Sequence, residues 1–554
     1  MSDIVIDTET TNKNPHKAKL LGVSLFEDGY PTYTPEPSRL GLQNVENTIM
    51  HNGKYDSVVL SRCLGLDVKV NYDTLLAYYL LHIDRPRKLE KIVKDVFNVD
   101  KLDLIQLYNK CTGEDRKTLP DEWWLKVPEE KLAVYAQEDV EWTHKIKQYC
   151  DKKFKSQPEL KMWFDQVEMP LLNILVQSEL NGVKVNVAKL KSLEEESVIQ
   201  RNDLENILRW MVGKPDLNLG SSKQLQPILY KQLKLPKIKK TKTGWSCDKH
   251  TLEKLKGTHA FVNLLLDYRS LDSMLSKFLL PLQEQADKNE IIHPTFNQAL
   301  TVTRRFSCKE PNLQQIPRRT KLGVTIKGTF VPKSGTVFFI GDYSQIEPRL
   351  LAHFSSDPQL MKWYKNNEDI YLHTVELMKK KGHTIDRDKS KILVLSSIYG
   401  KTPFGLAKDF DCSVPEAEQL LKAFFDQFKN VSDYIKEQQE YCKGHNGWLK
   451  SLAGLPLFVP GINSNKTNEY EEAKRQAVNY RIQGSSQDIL KKAIVNIYKR
   501  FNLAPVLMVH DEVVYEFESS TSNPEGIVET METAFKLQVP LKVEWGISDR
   551  WEKI

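Results

Sequence analysis

Long apolar runs are missing from this sequence. No window of 18 residues is apolar throughout, so no membrane span is expected. Paired cysteines are missing too. The seven cysteines, at 63, 111, 150, 247, 308, 412 and 442, never fall at C-x-x-C spacing. That argues against a zinc ribbon or a disulfide framework and for a reducing compartment, here the cytoplasm. A large excess of one charge is also absent: 79 Lys plus Arg against 73 Asp plus Glu leave a net +6. Such a bias permits a nucleic-acid partner but argues for one only if it is unevenly spread. There is no internal repeat. The start, MSDIVIDTET, lacks a basic-then-apolar pattern, and no leader peptide is expected.

What is present is a chain of 554 residues, long enough for two to four domains. To about residue 155, short apolar strands (IVIDTET, LLGVSLF, NTIMHNG) alternate with helical pattern, and a long helical stretch is expected from about 72. This is an α/β pattern. From about 157 the period becomes helical and breaks near Asn181-Gly182. Further helices are expected over 259–288 and 385–400. Residues 217–247 hold seven Lys and no Asp or Glu. They read either as a solvated loop or as a clamp on a phosphate backbone, where Lys gains affinity by releasing counterions.

Asp7 and Glu9 end the first apolar run. At i and i+2 of a strand they share a face. Two adjacent carboxylates repel unless a cation lies between them, and hard oxygens at this spacing suit Mg²⁺ or Mn²⁺. Surface strand ends carry such pairs as well, so the pair alone is weak. HNGKYDS adds Asp56 after a turn at Asn52-Gly53. YAQED adds Tyr135 and Asp139, four apart on one helical face. Four acids can hold two metals, with the phenol orienting a water for attack on a phosphodiester.

A second pair of strand-end acids is Asp342, in TVFFIGDYSQIEPRLL, and Asp511, in VLMVHDEVVYEFE. His510, Asp511 and Glu512 interrupt apolar sequence. They read as a hairpin turn with its carboxylates aimed into a cleft, or as a polar tip on the surface. Between the pair, Arg387, Lys391, Leu395 and Tyr399 are each four apart and lie within about 120° of one helical face. The face is either part core and part snorkelling cations, or a seat for a triphosphate with base and sugar against Leu395 and Tyr399.

IDTET, HNGKYD and YAQED, in that order, resemble the three motifs of the DEDD exonuclease superfamily in its Tyr-containing branch. GDYSQIEPRLLAHFS, RDKSKILVLSSIYG and VHDE resemble motifs A, B and C of family A DNA polymerases, the bacterial DNA polymerase I type. TVTRRFSCKEPNLQQIP, RQAVNYRIQGSSQDIL and LGSSKQLQPILY are similar to further segments of that family. The resemblance implies an α/β and α+β multidomain chain. An RNase H-like 3′→5′ exonuclease (1–155) would be followed by thumb (156–295), palm (296–356 and 464–554) and fingers (357–463). It implies two Mg²⁺ per site, held by Asp7, Glu9, Asp56 and Asp139 in the first. In the second, Asp342, Asp511 and the Tyr343 carbonyl would hold them, with Glu512 as a supporting acid. Arg387 and Lys391 would grip a triphosphate, Glu347 would crowd a ribose 2′-OH, and Tyr399 and Gly400 would admit the templating base. Arg305, Gln314, Asn479, Gln483, Lys223, Arg475 and His510 would contact DNA.

Departures from the pattern are Leu395 for an aromatic, Tyr371 for a phosphate-binding His, Arg304 for a Gly, and SLAGLPLF without the usual Arg pair. His373 is a candidate substitute for the missing His. A 5′-nuclease domain is not expected, and the compact layout is most similar to bacteriophage enzymes. The implied partners are primer–template DNA and dNTPs, with a processivity factor, helicase or single-strand-binding protein as possible accessories. A single-subunit RNA polymerase is the rival enzyme, opposed by Glu347 and the exonuclease motifs. A catalytically silent DNA-binding relative is opposed by the presence of all six metal-binding acids.

Overall fold

The computed structural model describes residues 3–35, 37, 47–519 and 523–554. Strands β1 (Ile4–Thr10), β2 (Leu20–Glu27), β3 (Tyr30–Thr34), β4 (Thr48–Met50) and β5 (Tyr72–Asp73) form one sheet in the order β3-β2-β1-β4-β5. β1 is antiparallel to β2, and β2 to β3, while β1–β4 and β4–β5 are parallel. Val5, Ile6, Val23, Ile49 and Met50 are buried, as β-branched and long apolar side chains favour on a covered sheet. The 26-residue helix Glu129–Phe154 packs across β1, β2 and β3. The helix Gly53–Leu64 starts after Asn52 at φ 66° and stops at Gly65 at φ 67°, both left-handed caps.

The long helical stretch expected from about 72 is instead three short helices, Thr74–Leu81, Leu89–Phe97 and Leu104–Thr112. Pro86 lies in the first break, and a proline has no N–H to continue a helix. Asp103 and Gln106 close a capping box at the second. The helix over 259–288 is present as Ala260–Met274 continued by a wider turn through Leu275–Leu279 to Gln285.

A second sheet is built from β6 (Thr336–Tyr343), β7 (Leu507–Val509), β8 (Glu512–Glu518) and β9 (Val543–Ser548), in the order β7-β8-β6-β9, all antiparallel. The 35-residue helix Thr467–Phe501 packs against the helices Ile346–Ser355 and Lys429–Gly444, and against Pro524–Glu532, which in turn contacts β9. Its middle, Gly484-Ser485-Ser486, is buried, because small side chains let neighbouring segments approach closely. One apolar core runs from Val5 in β1 to Trp551, so the two sheets share it. A separate core joins Leu208, Leu225, Leu229, Leu252 and Phe261, and carries the basic 217–247 stretch.

Candidate active sites

The first centre forms at the end of β1. Carboxylate oxygens of Asp7, Glu9 and Asp139 lie within 4.8 Å of one another. The pleat brings Asp7 and Glu9 to one side, and the Glu129–Phe154 helix supplies Asp139 from above. Asp56, in the first turn of Gly53–Leu64, stands beside this triad and accepts a 2.6 Å hydrogen bond from Thr8 Oγ1. Burial pushes all four acids upward, and repulsion within the set adds to it at Asp7 and Glu9. Glu9 reaches about 8 and Asp56 about 7. Asp139 reaches about 6, and Asp7 is well above the usual range. Such a set of hard oxygens fits a divalent cation.

Lys101 was not foreseen. Its side chain is 1 % exposed, its Nζ pairs with Asp139, and it lies 4.1 Å from the centroid of the Tyr135 ring. It therefore ties the helix acid to the phenol. Its sequence context, NVDKLDL, carries no motif that would have singled it out.

The second centre lies where β6 ends beside the β7–β8 turn. Val509 pairs with Glu512, so His510 and Asp511 form a two-residue hairpin loop, with His510 at φ 61°. Primed turns of this kind need positive φ. The Tyr343 N–H faces the Asp511 carbonyl at 3.4 Å, which draws the two acidic strand ends together. Burial raises Asp511 to about 7, helped by the Glu347 charge. Burial also raises Asp342 to about 6, helped by Glu512. Arg318, on the adjoining segment, acts on both acids in the opposite sense.

Glu512 departs from the expectation of a carboxylate open to a cleft. It is 5 % exposed and accepts a 2.7 Å hydrogen bond from Trp551 Nε1. Lys327 Nζ stands 3.7 Å from the same oxygen and 4.0 Å from the Trp551 ring centroid. Glu512 opens β8 directly opposite Asp342, so the two share a face of the sheet. Trp551 and Lys327 cover Glu512 there and close it off from solvent.

Facing this centre, the helix Arg387–Ile398 leaves Arg387 and Lys391 exposed and Leu395 and Tyr399 half-buried. Arg387 Nε and Nη2 bind Asp369 Oδ2 at 2.9 and 2.8 Å. Glu347 is buried at the start of Ile346–Ser355, with Arg305 on one carboxylate oxygen and the Tyr399 hydroxyl on the other. Leu395, Tyr399 and Arg475 line a cleft of about 530 Å³. Gly400, at φ 58°, passes so near Arg475 that a Cβ would meet its Cγ at 3.1 Å. Asn479 Nδ2 reaches the Tyr399 carbonyl at 3.4 Å. Gln483 is half-buried one turn further along the same helix. Gln314 Nε2 bridges the Phe306 and Met508 carbonyls at 3.3 Å each.

Lys223 lies apart from both centres, at a cleft in the separate core that it shares with Lys231 and Lys237. Tyr371 is buried beneath Arg387 and Lys391, its ring 5.4 and 6.0 Å from their charges. His373 stacks on Trp363 at 4.9 Å and pairs with Glu368 at 2.6 Å. All seven cysteines are unpaired, and no helix among the described residues is long and apolar enough to cross a membrane.

Two acid centres, one on a mixed five-stranded sheet and one on a four-stranded antiparallel sheet under a basic helix, define a multidomain chain of nucleic-acid enzyme architecture. Residues 187–553 match the family described as DNA polymerase family A, and residues 1–155 match the family described as 3′-5′ exonuclease. The chain belongs to DNA polymerase family A, with an RNase H-like exonuclease domain preceding a right-hand polymerase domain. It is 31% identical over 578 residues to DNA polymerase I of Bacillus subtilis, covering 99% of this chain and 64% of that protein. It is 33% identical over 416 residues to the thermostable DNA polymerase I of Thermus thermophilus, covering 73% of this chain and 50% of that one. The chain thus spans less than two-thirds of the length of these relatives. Its structure superposes on the POL domain of Pol1 from M. smegmatis, in complex with DNA primer-template and dNTP. The TM-score is 0.84 at 27% identity, covering 99% of this chain and 95% of that one.

Proposed function

We propose that the chain is a template-directed DNA polymerase with a 3′→5′ proofreading exonuclease of the Tyr-containing DEDD type. The observation that carries this reading is the pairing of Asp342 and Asp511 at adjoining strand ends, beneath a helix whose open face offers Arg387 and Lys391. At the first site Asp7, Glu9, Asp56 and Asp139 would hold Mg²⁺, and at the second Asp342, Asp511 and the Tyr343 carbonyl would do so, with Mn²⁺ as an alternative. A divalent ion, when bound there, lowers the pKa of an attacking water or hydroxyl and neutralises the leaving oxygen.

The chain's own groups do the rest. Arg387 and Lys391 bind the triphosphate of a dNTP and offset charge as it collects on pyrophosphate. Occupation by phosphate would draw Arg387 off Asp369. Glu347, fixed from both sides, crowds a ribose 2′-OH. Leu395 and Tyr399 contact base and sugar, and Gly400 gives the template room. Arg305, Gln314, Asn479, Gln483, Arg475 and His510 face primer–template DNA. Minor-groove acceptors are common to all base pairs, so such contacts test shape without reading sequence. Lys223 and its neighbours hold the duplex backbone. Glu512 supports Asp342 from within the core. Tyr135 orients the water at the exonuclease site. The domain boundaries are those given by the motifs, with the polymerase region divided at 295, 356 and 463. The setting is DNA replication or repair in the cytoplasm, of a bacteriophage genome on the sequence resemblance; the relatives reported above are bacterial.

The test is extension of a labelled primer on a longer template with Mg²⁺, with and without dNTPs. Wild type should lengthen the primer with dNTPs and shorten it without them. Asp511→Ala should abolish only growth, and Asp7→Ala only shortening. Shortening without any growth would refute the polymerase assignment.

A further inference from the structure

Arg304 is among the largest fully buried side chains of the protein, 1 % exposed, and it sits at φ 58°. An arginine in left-handed backbone is strained, and such strain persists only where the surroundings fix it. Here they do. Arg304 Nη2 donates to Asp488 Oδ1 at 2.9 Å and Nη1 to the Pro456 carbonyl at 2.8 Å. Asp488 Oδ2 accepts the Ala453 N–H at 3.0 Å. Gly484, one turn before Asp488, leaves the space: a Cβ there would stand 3.5 Å from Arg304 Nη2 and 3.0 Å from Leu457. One guanidinium thus fastens the 301–305 turn to both the Thr467–Phe501 helix and the 451–456 loop.

The same turn is strapped upstream. Lys491 Nζ, buried with Glu168, holds the Gln298 carbonyl at 3.2 Å. Arg87 Nη1 holds the Leu300 carbonyl at 2.8 Å, and the Tyr79 hydroxyl holds the Thr301 carbonyl at 2.7 Å. Downstream of Arg304 the next residue, Arg305, reaches the Glu347 carboxylate. Its side chain is 34% exposed, so its own packing does not fix it. Glu347 has only one other side-chain partner among the described residues, the Tyr399 hydroxyl.

We propose that Arg304 is a positioning residue for sugar selection: its ion pair with Asp488 sets Arg305 on Glu347 and so holds the carboxylate that faces the nucleotide sugar. This rests on the polymerase reading above. Without the pair the turn relaxes, Arg305 leaves Glu347, and the carboxylate swings on Tyr399 alone. Arg304 touches neither nucleotide nor DNA and acts wholly through its neighbour.

The experiment compares Arg304→Gly, Arg304→Lys, Asp488→Asn and the double variant Arg304→Gly/Asp488→Asn, all in an Asp7→Ala background. Single-nucleotide extension gives kcat and KM for a dNTP and its matching rNTP. The single variants with the exonuclease intact are assayed on single-stranded DNA, and all are melted. Glycine suits the left-handed backbone, so Arg304→Gly tests the guanidinium rather than the turn. The expected result is a dNTP-over-rNTP preference at least tenfold lower in Arg304→Gly and in Asp488→Asn, carried by KM. Exonuclease rates stay within twofold. The double variant is no worse than the worse single, as for two halves of one device. Arg304→Lys retains part of the preference. A preference within twofold of wild type in folded Arg304→Gly overturns the proposal. So does a parallel fall in polymerisation, exonuclease and melting temperature, which marks a merely structural role. A parent chain (Asp7→Ala alone) that extends no primer would instead refute the polymerase reading itself.

Discussion

Glu512 allows two roles that one double-mutant cycle separates. As an acid serving bound metal it would be needed in its charged form. As a buried strut it would be needed only as half of a pair with Lys327. The two charges are 3.7 Å apart with side chains each 7% exposed. At an effective dielectric of about 20, a pair at about 4 Å gains roughly 4 kcal/mol before desolvation is counted. Glu512→Gln keeps an acceptor for Trp551 but strands the ammonium. Removing one partner of a fully buried pair costs about 3–5 kcal/mol. Lys327 still has the Trp551 ring at 4.0 Å, and burial already lowers its pKa, so it can shed the proton and limit the loss. The expected cost of Glu512→Gln is therefore about 2–3 kcal/mol, read from urea unfolding. Glu512→Gln/Lys327→Met should be more stable than Glu512→Gln alone, because no buried charge is left unpaired. Trp551→Phe, which removes one hydrogen bond to a charged acceptor, should cost about 2 kcal/mol. Primer extension decides between the roles. On the strut reading the double variant extends primers within about threefold of wild type, while Asp511→Asn does not. A double variant that recovers stability but stays more than about 100-fold slower would refute the strut and return Glu512 to the metal-binding group.

Three further outcomes follow from the two centres. Glu9, Asp56 and Asp139 have folded pKa values of about 8, 7 and 6, above their unfolded values near 4, so between those limits the folded chain binds more protons. Metal-free stability should therefore fall as pH rises from about 4 to 8, more steeply than in Glu9→Gln, and the melting shift given by Mg²⁺ should grow from pH 6 to 8; a wild-type melting curve with no steeper fall than Glu9→Gln would contradict this. Lys101→Met removes the only side-chain cation that pairs with Asp139 among the described residues, so exonuclease turnover should drop about tenfold while half-saturation by Mg²⁺ moves to lower concentration; an unchanged metal titration would contradict that. Leu395 offers no hydroxyl beside the sugar, so equal ddNTP and dNTP should seldom terminate synthesis; in Leu395→Tyr one new hydrogen bond of about 1 kcal/mol should raise termination roughly fivefold, and frequent termination by wild type would refute the assignment.

The acids were legible in the sequence for a physical reason. A carboxylate at the end of an apolar strand is a local contradiction, and Asp7, Glu9, Asp342 and Asp511 each show it within a few residues. The helix face of Arg387, Lys391, Leu395 and Tyr399 was legible because period 3.6 fixes it. The partners that hold these groups in place were not. Lys101, Arg318, Lys327 and Trp551 reach the centres from far along the chain, and single basic or aromatic residues are too common to stand out. Glu512 lies in the expected turn and on the face of Asp342, but Trp551 and Lys327, which no local motif announces, close over it. His373 was weighed as a replacement for a missing His. Its position two residues from Tyr371 follows from the sequence, but its stacking on Trp363 depends on how two helices cross.

Both centres meet the same electrostatic problem with different means. Carboxylates that must receive a divalent ion repel one another before it arrives, and burial worsens the repulsion. At the exonuclease site a nearly buried lysine is fixed on one acid. At the polymerase site the compensation comes from Arg305 and Arg318, which oppose the upward shift of Asp511 without pairing with its carboxylate. On the proposed function, a fixed ammonium suits a site that would take a single strand end, and a looser cationic ring suits one that would admit a duplex, a nucleotide and its counterions together. Because Arg305 also reaches Glu347, the group that eases repulsion at Asp511 is the one that holds the carboxylate proposed to face the sugar. On that proposal charge compensation and sugar selection rest on one side chain. Any change that frees Arg305 should then alter both the metal dependence of extension and the preference for deoxynucleotides.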